Sequence, residues 1–403
     1  MGGATTTRRD VLAGLSGAAV GATGAALAGA ASGFGAGAAR AAGPVTLNII
    51  DVAGNLQLTQ ECIERFRAQN PDLVSRITFS RAPSPELPAK LKAMQTAGRV
   101  DIDLVLTGPG ALSDGVEQGL WTALLPAHAS ALPKLEAVYH EAALAMQTTL
   151  ARGQGLAVAY SPSGPILQYA PERAGKPPTT AQELLDWTRA RPNKFNYARP
   201  VNSGPGWTFL MGLPYILKDR DPKDPMQGWD KTWEYLKELG KNIEYYPGNT
   251  GATMKEFGEG TRDMIVTTCG WDINPRVLGI VPKATEITTL EGFHWVADTQ
   301  FMCVPKGVAD DKVAVLLQLM SFMLKPEQQA LTYDKGYFYP GPAVRDVPLN
   351  MATKESQDVL KEFGRPIYDR LIAEHPVEVQ LPPQKLVAAF RRWDQEVGTQ
   401  KTK

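Results

Sequence analysis

The 403-residue sequence has few of the side chains that bind metals or form cross-links. It contains three cysteines and four histidines. None of the histidines lies in a two-histidine helical motif or near a cysteine pair, so the sequence does not support a structural zinc site or a metalloenzyme. Three cysteines cannot all pair. We expect Cys62, Cys269 and Cys303 to be buried free thiols, with a Cys269–Cys303 disulfide as the alternative.

The sequence also lacks an excess of charge and the patterns of common catalytic sites. Its 42 basic residues balance 42 acidic residues, which gives no reason to expect nucleic acid or an anionic membrane surface as a partner. It has no Gly-x-Ser-x-Gly motif, no phosphate-binding P-loop, and no nucleophile paired with a base at a recognisable spacing. These absences do not exclude catalysis, but nothing in the sequence argues for it, and we predict a protein that is not an enzyme and needs no cofactor.

The N-terminal segment has the composition of an export signal. Arg8 and Arg9 precede a stretch rich in Ala, Gly, Leu and Val that carries no charge between Asp10 and Arg40. A basic start followed by an apolar segment is typical of a secretory signal, and the paired arginines favour the twin-arginine type. So many glycines make a poor membrane helix, and no second apolar run of about 18 residues follows. We predict a signal peptide over residues 1–43 and a mature protein in the periplasm.

Strands and helices alternate in the segment after the predicted signal. Val45 to Asp51, Ile77 to Phe79 and Asp101 to Thr107 have the pattern of strands, and helical patterns separate them. This alternation indicates a parallel sheet with helices on its faces, and ligands bind at the C-terminal ends of such strands. The loops after the first and third strands therefore supply two candidate ligand-binding residues, Asn55 and Gly108.

A glycine-rich turn precedes an apolar helix in the middle of the chain. The sequence Pro-Val-Asn-Ser-Gly-Pro-Gly covers residues 200–206, and the helical pattern begins at Trp207. The first N–H groups of a helix have no intrahelical partner and carry partial positive charge, which suits an anionic group or a polar ligand atom. We name Ser203 and Gly204 as candidate ligand-binding residues. A capped helix start without a ligand is the alternative.

Residues 290–342 combine a short strand, a long amphipathic helix and a loop rich in Gly and Pro. Gln300 to Val304 is an apolar run closed by Pro305. The helical pattern that follows places apolar residues at spacings of three and four, which predicts one buried face. These apolar residues are Val313, Leu316, Leu317, Met320, Met323 and Leu324.

This order of elements resembles the C-terminal signature of the family 1 extracellular solute-binding proteins, the receptors of ABC importers. The matching features are the Pro-Lys-Gly turn at 305–307, the helix end Phe-Met-Leu-Lys-Pro-Glu at 322–327, and the Gly336-Tyr337 loop. The resemblance covers nearly the whole mature chain. It implies an α/β fold of the type II periplasmic-binding-protein class, in which mixed sheets flanked by helices form two lobes with a ligand cleft between them.

The resemblance also implies lobe boundaries, because the family's chain visits the second lobe and returns. We expect lobe 1 over 44–154 and 301–349, lobe 2 over 155–300, and C-terminal helices that brace the lobes over 350–403.

The same resemblance implies further site residues. The family has a strand that often ends in a Gly-Trp or similar pair facing the cleft, which points to Trp271 and Asp272. Hinge packing by Trp271 and helix capping by Asp272 are the alternative. Polyamine-binding members carry Trp-x-Asp just before the return strand. Here Asp298 is displaced by one residue from that spacing after Trp295, and Gln300 lies nearer the expected register.

These residues suggest a ligand class. Trp271, Trp295 and Tyr337 could surround an organic cation through cation–π contacts, while Asp272 and Asp298 pair with its charge. A polyamine or a similar amine is therefore the favoured ligand. A sugar stacked on the same aromatic rings is one alternative, and a small carboxylate or phosphonate at the turn near residue 203 is another.

The expected function is that of the periplasmic substrate-binding component of an ABC transporter. Such a protein is expected to act as a monomer that captures a small solute by lobe closure and delivers it to a permease in the inner membrane. An enzyme exported by the twin-arginine route is the alternative from another class.

Overall fold

Two β-sheets flanked by helices make up the computed structural model, which describes residues 43–401. The predicted signal peptide lies outside the described residues, apart from its last position. Within residues 43–401, no helix combines the length and the apolar character needed to cross a bilayer.

Ten strands and sixteen α-helices are described. The strands are β1 (Val45–Asp51), β2 (Val74–Arg81), β3 (Leu104–Thr107), β4 (Leu156–Gly164), β5 (Ile166–Tyr169), β6 (Phe195–Asn196), β7 (Met264–Thr267), β8 (Glu286–Thr288), β9 (Trp295–Cys303) and β10 (Val377–Glu378). The helices are α1 (Leu56–Gln69), α2 (Leu87–Thr96), α3 (Pro109–Gln118), α4 (Leu135–Val138), α5 (Glu141–Met146), α6 (Pro171–Ala174), α7 (Ala181–Ala190), α8 (Gly204–Ile216), α9 (Asp230–Gly240), α10 (Thr250–Gly258), α11 (Cys269–Val277), α12 (Asp310–Met323), α13 (Pro326–Gln329), α14 (Lys354–Phe363), α15 (Ile367–Glu374) and α16 (Pro383–Trp393).

The first sheet has the strand order β10-β9-β3-β1-β2, and β4 also pairs with β9. β1 lies parallel to both β2 and β3, so the three predicted N-terminal strands form the parallel arrangement expected from their alternation with helices. β9 is antiparallel to β3 and to β4, and β10 is parallel to β9. The sheet is therefore mixed, with its parallel part near the N-terminus.

The second sheet has the strand order β6-β7-β5-β8. β5 is antiparallel to both β7 and β8, while β6 is parallel to β7. The predicted fold class, mixed sheets flanked by helices in a periplasmic-binding-protein-like arrangement, is confirmed.

Two long buried strands of the first sheet adjoin the points at which the chain changes sheet. β4 ends at Gly164 in the first sheet and β5 begins at Ile166 in the second, so the chain changes sheet there. It returns between Thr288, the end of β8, and Trp295, the start of β9. Every residue of β4 and β9 is buried. The return strand begins before the predicted Gln300, and the lobe boundaries themselves stay a prediction.

The buried apolar residues separate into one large cluster around each sheet. All six apolar residues predicted for the buried face of α12 and its end are buried. α16 contacts α3 beside the first sheet, and its Leu386, Phe390 and Trp393 belong to the second cluster. Cys62, Cys269 and Cys303 are buried and free, which agrees with the expectation of three thiols.

Candidate functional site

A cavity of about 720 Å³ is lined by elements of both sheets. Its first wall consists of the loops that follow β1, β2 and β3. Its second wall consists of the segments that lead into α8, α10 and α11. β9, the segment after α13, and α16 supply the rest of the lining. The C-terminal ends of the parallel strands thus face the cavity, as the parallel-sheet rule leads one to expect.

The cavity brings together seven of the ten predicted site residues. They are Gly108, Ser203, Gly204, Trp271, Asp298, Gln300 and Tyr337. The other three, Asn55, Asp272 and Trp295, do not line it.

Asn55 lies fully buried behind the first wall. Its side-chain amide donates to the Phe301 carbonyl at 3.3 Å, which ties the start of α1 to β9. The carboxylate that ends β1, Asp51, accepts hydrogen bonds from the backbone N–H groups of Ala53, Asn55 and Leu56. The start of α1 is therefore already occupied by a carboxylate of the chain.

Asp272 lies in a buried polar network instead of the cavity. Its carboxylate accepts two hydrogen bonds from Arg365, at 2.6 and 2.8 Å, and one from Arg276 at 2.8 Å. Tyr368 and Gln168 also donate to it. The full complement of donors leaves no free acceptor direction for a ligand, so we leave Asp272 out of the proposed binding site.

Trp295 is also fully buried away from the cavity. Its indole N–H donates to the Leu371 carbonyl at 2.9 Å, and its ring packs edge-on against Phe293 at 4.8 Å between ring centroids. The aromatic surroundings predicted for a cation therefore lack this third ring.

Asp298 and Gln300 reach the cavity from the same face of β9, because alternate residues of a strand point to the same side. Oδ1 of Asp298 accepts the backbone N–H of Thr299 at 2.7 Å. Burial raises the pKa of the Asp298 carboxyl to about 8. Oε1 of Gln300 is buried and has no hydrogen-bond partner.

The start of α8 brings a second unpartnered group to the cavity. The indole Nε1 of Trp207 is buried without an acceptor, and it lies 3.3 Å from the position that a Cβ on Gly204 would occupy. Oδ2 of Asp298 lies 3.4 Å from the same position. Both polar atoms therefore lie beside Gly204, which itself lines the cavity.

Hydroxyl groups join the starts of α8 and α10. Ser203 caps α8 by accepting the N–H of Gly206 at 3.1 Å, and its Oγ lies 2.9 Å from Oγ1 of Thr250. Asn249 caps α10 by accepting the N–H of Ala252. The first turns of α3, α8 and α10 contain no acidic residue. These three helix starts therefore bring positive potential to the cavity with only neutral caps.

An aromatic pair forms another part of the lining. The rings of Trp271 and Tyr337 lie 6.0 Å apart between centroids. Burial raises the pKa of Tyr337 to about 12. Its hydroxyl would lie 2.3 Å from a Cβ on Gly54, whose φ of +75° also favours glycine, so a larger residue there would displace the ring.

Sequence comparison identifies the family. The model described as "Bacterial extracellular solute-binding protein" matches residues 61–360. The chain belongs to this family. The predicted membership of the extracellular solute-binding proteins is thereby confirmed. A comparison with curated protein sequences gives no match.

Solved structures of binding proteins share the fold at low sequence identity. The spermidine/putrescine ABC transporter substrate-binding protein PotD of Streptococcus pneumoniae aligns with a TM-score of 0.58 and 16% identity, over 87% of this chain and 99% of that one. The periplasmic binding protein AfuA of Actinobacillus pleuropneumoniae, bound to fructose-6-phosphate, gives 0.60 and 17%, over 87% and 98%. Ferric ion-binding protein A of Pasteurella haemolytica gives 0.59 and 13%, over 87% and 97%. At these identities the likeness concerns the fold alone.

Sequence reasoning missed several residues that line the cavity of this solute-binding protein. Arg81 ends β2, and the rule that nominated the loops after the other two parallel strands could have found it. Asn249 and Thr250 had a signal as a helix start. Trp207 and Phe390 lie in apolar helices whose spacing favours a core role, and the sequence held no signal that they also reach a cavity.

Proposed function

We propose that this solute-binding protein is the periplasmic substrate-binding component of an ABC importer. In this proposal it captures a small polar solute in the cavity and, without chemistry, delivers it as a monomer to a permease in the inner membrane. The observation that carries the proposal is the cavity itself, whose lining includes Trp207 and Gln300 with buried polar atoms that lack partners. Such atoms favour a site in which a polar solute supplies the hydrogen bonds that these side chains lack.

The proposed location follows from the N-terminal sequence and the family. Arg8 and Arg9 with the apolar stretch after them support twin-arginine export, and the family is described as extracellular. N-terminal sequencing of protein recovered from the periplasm tests this proposal, because a chain that retains residues 1–40 contradicts it.

Lobe closure is the proposed mechanism of capture. The chain changes sheet only near 164–166 and 288–295 within residues 43–401, so a hinge motion needs backbone changes at few positions. A solute that contacts both walls stabilises the closed arrangement, since a ligand shifts a conformational equilibrium only by its differential affinity for the two states.

The ligand class follows from which side chains reach the cavity. The neutral caps of α8 and α10 and the unpartnered Trp207 N–H favour a solute with an acidic or hydroxylated group. An organic cation is the second candidate, because Trp271, Tyr337 and Asp298 of the predicted cation site line the cavity. Asp272 and Trp295, its other two predicted members, are engaged elsewhere.

A thermal-shift screen of the mature protein against amines, sugars and small acids tests the proposed function. We predict that Trp271→Ala abolishes the stabilisation given by the solute that binds, because it removes one ring of the aromatic pair. The apo fold should remain, since Trp271 is only partly buried. Leu278→Ala is a matched control, because Leu278 follows the same helix and is 63% exposed.

Each outcome of the screen bears on a different part of the proposal. Unchanged affinity in Trp271→Ala would remove this residue from the site. Absence of stabilisation by every class of solute would contradict the binding function. Chemical turnover of a solute that binds would favour the exported enzyme instead.

A further inference from the structure

We propose that the cavity binds an oxyanion, meaning a carboxylate, phosphate or phosphonate group, at the start of α8, beside Nε1 of Trp207 and Oδ2 of Asp298. This inference rests on the proposed function, because it names the chemistry of the solute that the same cavity captures.

The indole N–H of Trp207 requires a hydrogen-bond acceptor as its partner. Trp207 is 5% exposed, lines the cavity and has no acceptor for Nε1. Buried donors in native structures nearly always have a partner, so an unpartnered one at a cavity points to a group that the ligand brings. An ammonium group has only donors and cannot satisfy an N–H. The partner must therefore be an acceptor, such as an oxyanion oxygen.

Asp298 faces the same space and has one oxygen in use. The N–H of Thr299 donates to Oδ1, which leaves Oδ2 directed to the space at Gly204. When the carboxyl is protonated, the proton belongs on Oδ2, because Oδ1 must accept from Thr299. Burial raises the pKa of Asp298 to about 8, which favours the protonated form at neutral pH. Asp298 then offers a second donor to the space beside the indole.

Within the described residues, no charged side chain of the cavity lining forms a hydrogen bond with Asp298. Ser161 of β4 pairs with Asp298, and the described lining from α3, α8, α10, α11 and α16 contains no titratable side chain. The carboxylate of Asp51 is already bonded to the start of α1. The titratable side chains that line the cavity besides Asp298 are Asp51, Arg81, Glu86 and Tyr337.

The helix starts supply the remaining attraction. α8 and α10 begin at the cavity, are joined through the hydroxyls of Ser203 and Thr250, and have no acidic residue in their first turns. Their partial positive charge stabilises an anion. An oxyanion at Gly204 would thus meet an indole N–H, a carboxyl proton and a helix start together.

The proposal predicts the direction of the pH dependence. An oxyanion binds the protonated form of Asp298, so its affinity should fall about tenfold per pH unit above pH ~8. An organic cation would need the ionised form, so its affinity would rise by the same factor per unit up to pH ~8 and then level off. The two ligand classes therefore give opposite slopes.

Isothermal titration calorimetry with Asp298→Asn tests the assignment. The probes are glucose 6-phosphate, methylphosphonate and succinate as oxyanions, and putrescine as the cation, measured from about pH 7 upward so that phosphate stays ionised. In the variant, the amide oxygen accepts from Thr299 and the amide N–H₂ takes the place of the carboxyl proton. We expect the oxyanion affinity of the variant to lose the decline above pH ~8, because the amide has no proton to release.

A matched pair of tryptophan variants separates ligand binding from packing. Trp207→Phe should weaken oxyanion binding about tenfold or more, the usual effect of losing a hydrogen bond to a charged group. Its thermal stability without solute should change little from loss of the N–H, since Nε1 has no partner. Trp187→Phe is the control: Trp187 is similarly buried, but its N–H donates to Ala174 outside the cavity. It should lose stability and keep binding.

The calorimetry separates the oxyanion proposal from the solute-binding function. Binding of a phosphate, phosphonate or dicarboxylate probe with the predicted pH slope supports the proposal, and the arm that binds identifies the kind of oxyanion. Binding of putrescine alone, or a decline in oxyanion affinity above pH ~8 that persists in Asp298→Asn, overturns it while the solute-binding function stands. Failure of all oxyanion probes overturns it as well. If no amine or neutral sugar binds either, the proposed function fails too.

Discussion

At the scale of single residues, Asp298 is the group whose surroundings are most unusual. A carboxyl with one backbone hydrogen bond is buried in the wall of a cavity, and none of the described hydrogen bonds or ion pairs brings a cation to it. Burial disfavours the charged form of an acid. Asp298 therefore lowers the stability of the protein without solute at neutral pH, which is typical of a group retained for binding.

This cost predicts how stability depends on pH. The pKa of Asp298 is about 8 in the fold and about 3.9 in an unfolded chain, so the folded state holds the proton more tightly. The contribution of the Asp298 carboxyl to the free energy of unfolding is fully present below the unfolded pKa. It is lost as the pH rises to about 8, at about 1.4 kcal/mol per pH unit. Asp298→Asn should therefore be more stable than wild type by about 3–5 kcal/mol at pH 7, and by little near pH 4. Urea unfolding at both pH values measures this difference.

Asp103→Asn is the matched control for that experiment. Asp103 is also buried, but it accepts hydrogen bonds from Lys312 and from the N–H of Asn48. Its replacement should lower stability at pH 7. An Asp298→Asn variant that is destabilised like Asp103→Asn would contradict the account of Asp298 as an uncompensated acid.

At the scale of elements, two neighbouring residues show where sequence reasoning was limited. Trp271 and Asp272 were predicted to lie together at the end of a strand, but β7 ends at Thr267 and α11 begins at Cys269. Successive residues of a helix point about 100° apart. Trp271 therefore lines the cavity while Asp272 faces the core, and the helix phase could not be read from a segment taken as a strand end.

The alternation of side chains along β9 explains why Trp295 does not line the cavity. Residues 298 and 300 share one face of the strand, and residue 295 lies on the other. Predicting that the strand began at Gln300 left Trp295 in a loop, where it seemed free to face the ligand. The rule for parallel strands, by contrast, needs only strand order and direction. The loop that it selected at Gly108 lines the cavity, whereas Asn55 of the other selected loop is buried behind the loop of β1.

Asp272 in α11 has the contacts of a structural residue. Its carboxylate joins Arg276 of α11 to Arg365 beside α15, and both guanidinium groups are largely buried. Asp272→Asn should leave two buried cations poorly compensated and lower the free energy of unfolding by about 3–5 kcal/mol. Solute affinity of the folded fraction should stay unchanged, since Asp272 does not line the cavity. Urea denaturation and calorimetry of the same variant measure the two effects.

The exposed pair Asp186–Arg189 supplies the control, because exposed ion pairs contribute little. Asp186→Asn should leave the unfolding curve nearly unchanged. An Asp272→Asn variant that kept its stability and lost affinity would instead support the prediction from the sequence that Asp272 binds the ligand.

At the scale of the whole molecule, the arrangement of the two sheets follows from the two strands that adjoin the changes of sheet. β4 and β9 are antiparallel partners in the first sheet, and each is next to a change of sheet. Their pairing holds the outgoing and returning segments side by side. The cavity lies where loops of the first sheet face helix starts beside the second. Family membership and the two-sheet fold could be predicted from the order of elements, which depends on no single side chain.

The proposed charge of the solute depends on features that a sequence does not contain. The unpartnered indole of Trp207, the free oxygen of Asp298 and the neutral helix caps are relations between distant segments. Aromatic and acidic residues near the return strand favoured a cation in the sequence. Trp295 and Asp272 form hydrogen bonds in the core, so neither side chain is available to a solute.

A crystal structure of the mature protein with the solute that gives the largest thermal shift tests the central claim most directly. The account predicts that the solute lies in the cavity and contacts both walls, with one polar group at Gly204 and another part of the molecule against the loops that follow β1 to β3. A solute bound elsewhere on the protein, or one that touches a single wall only, would contradict it.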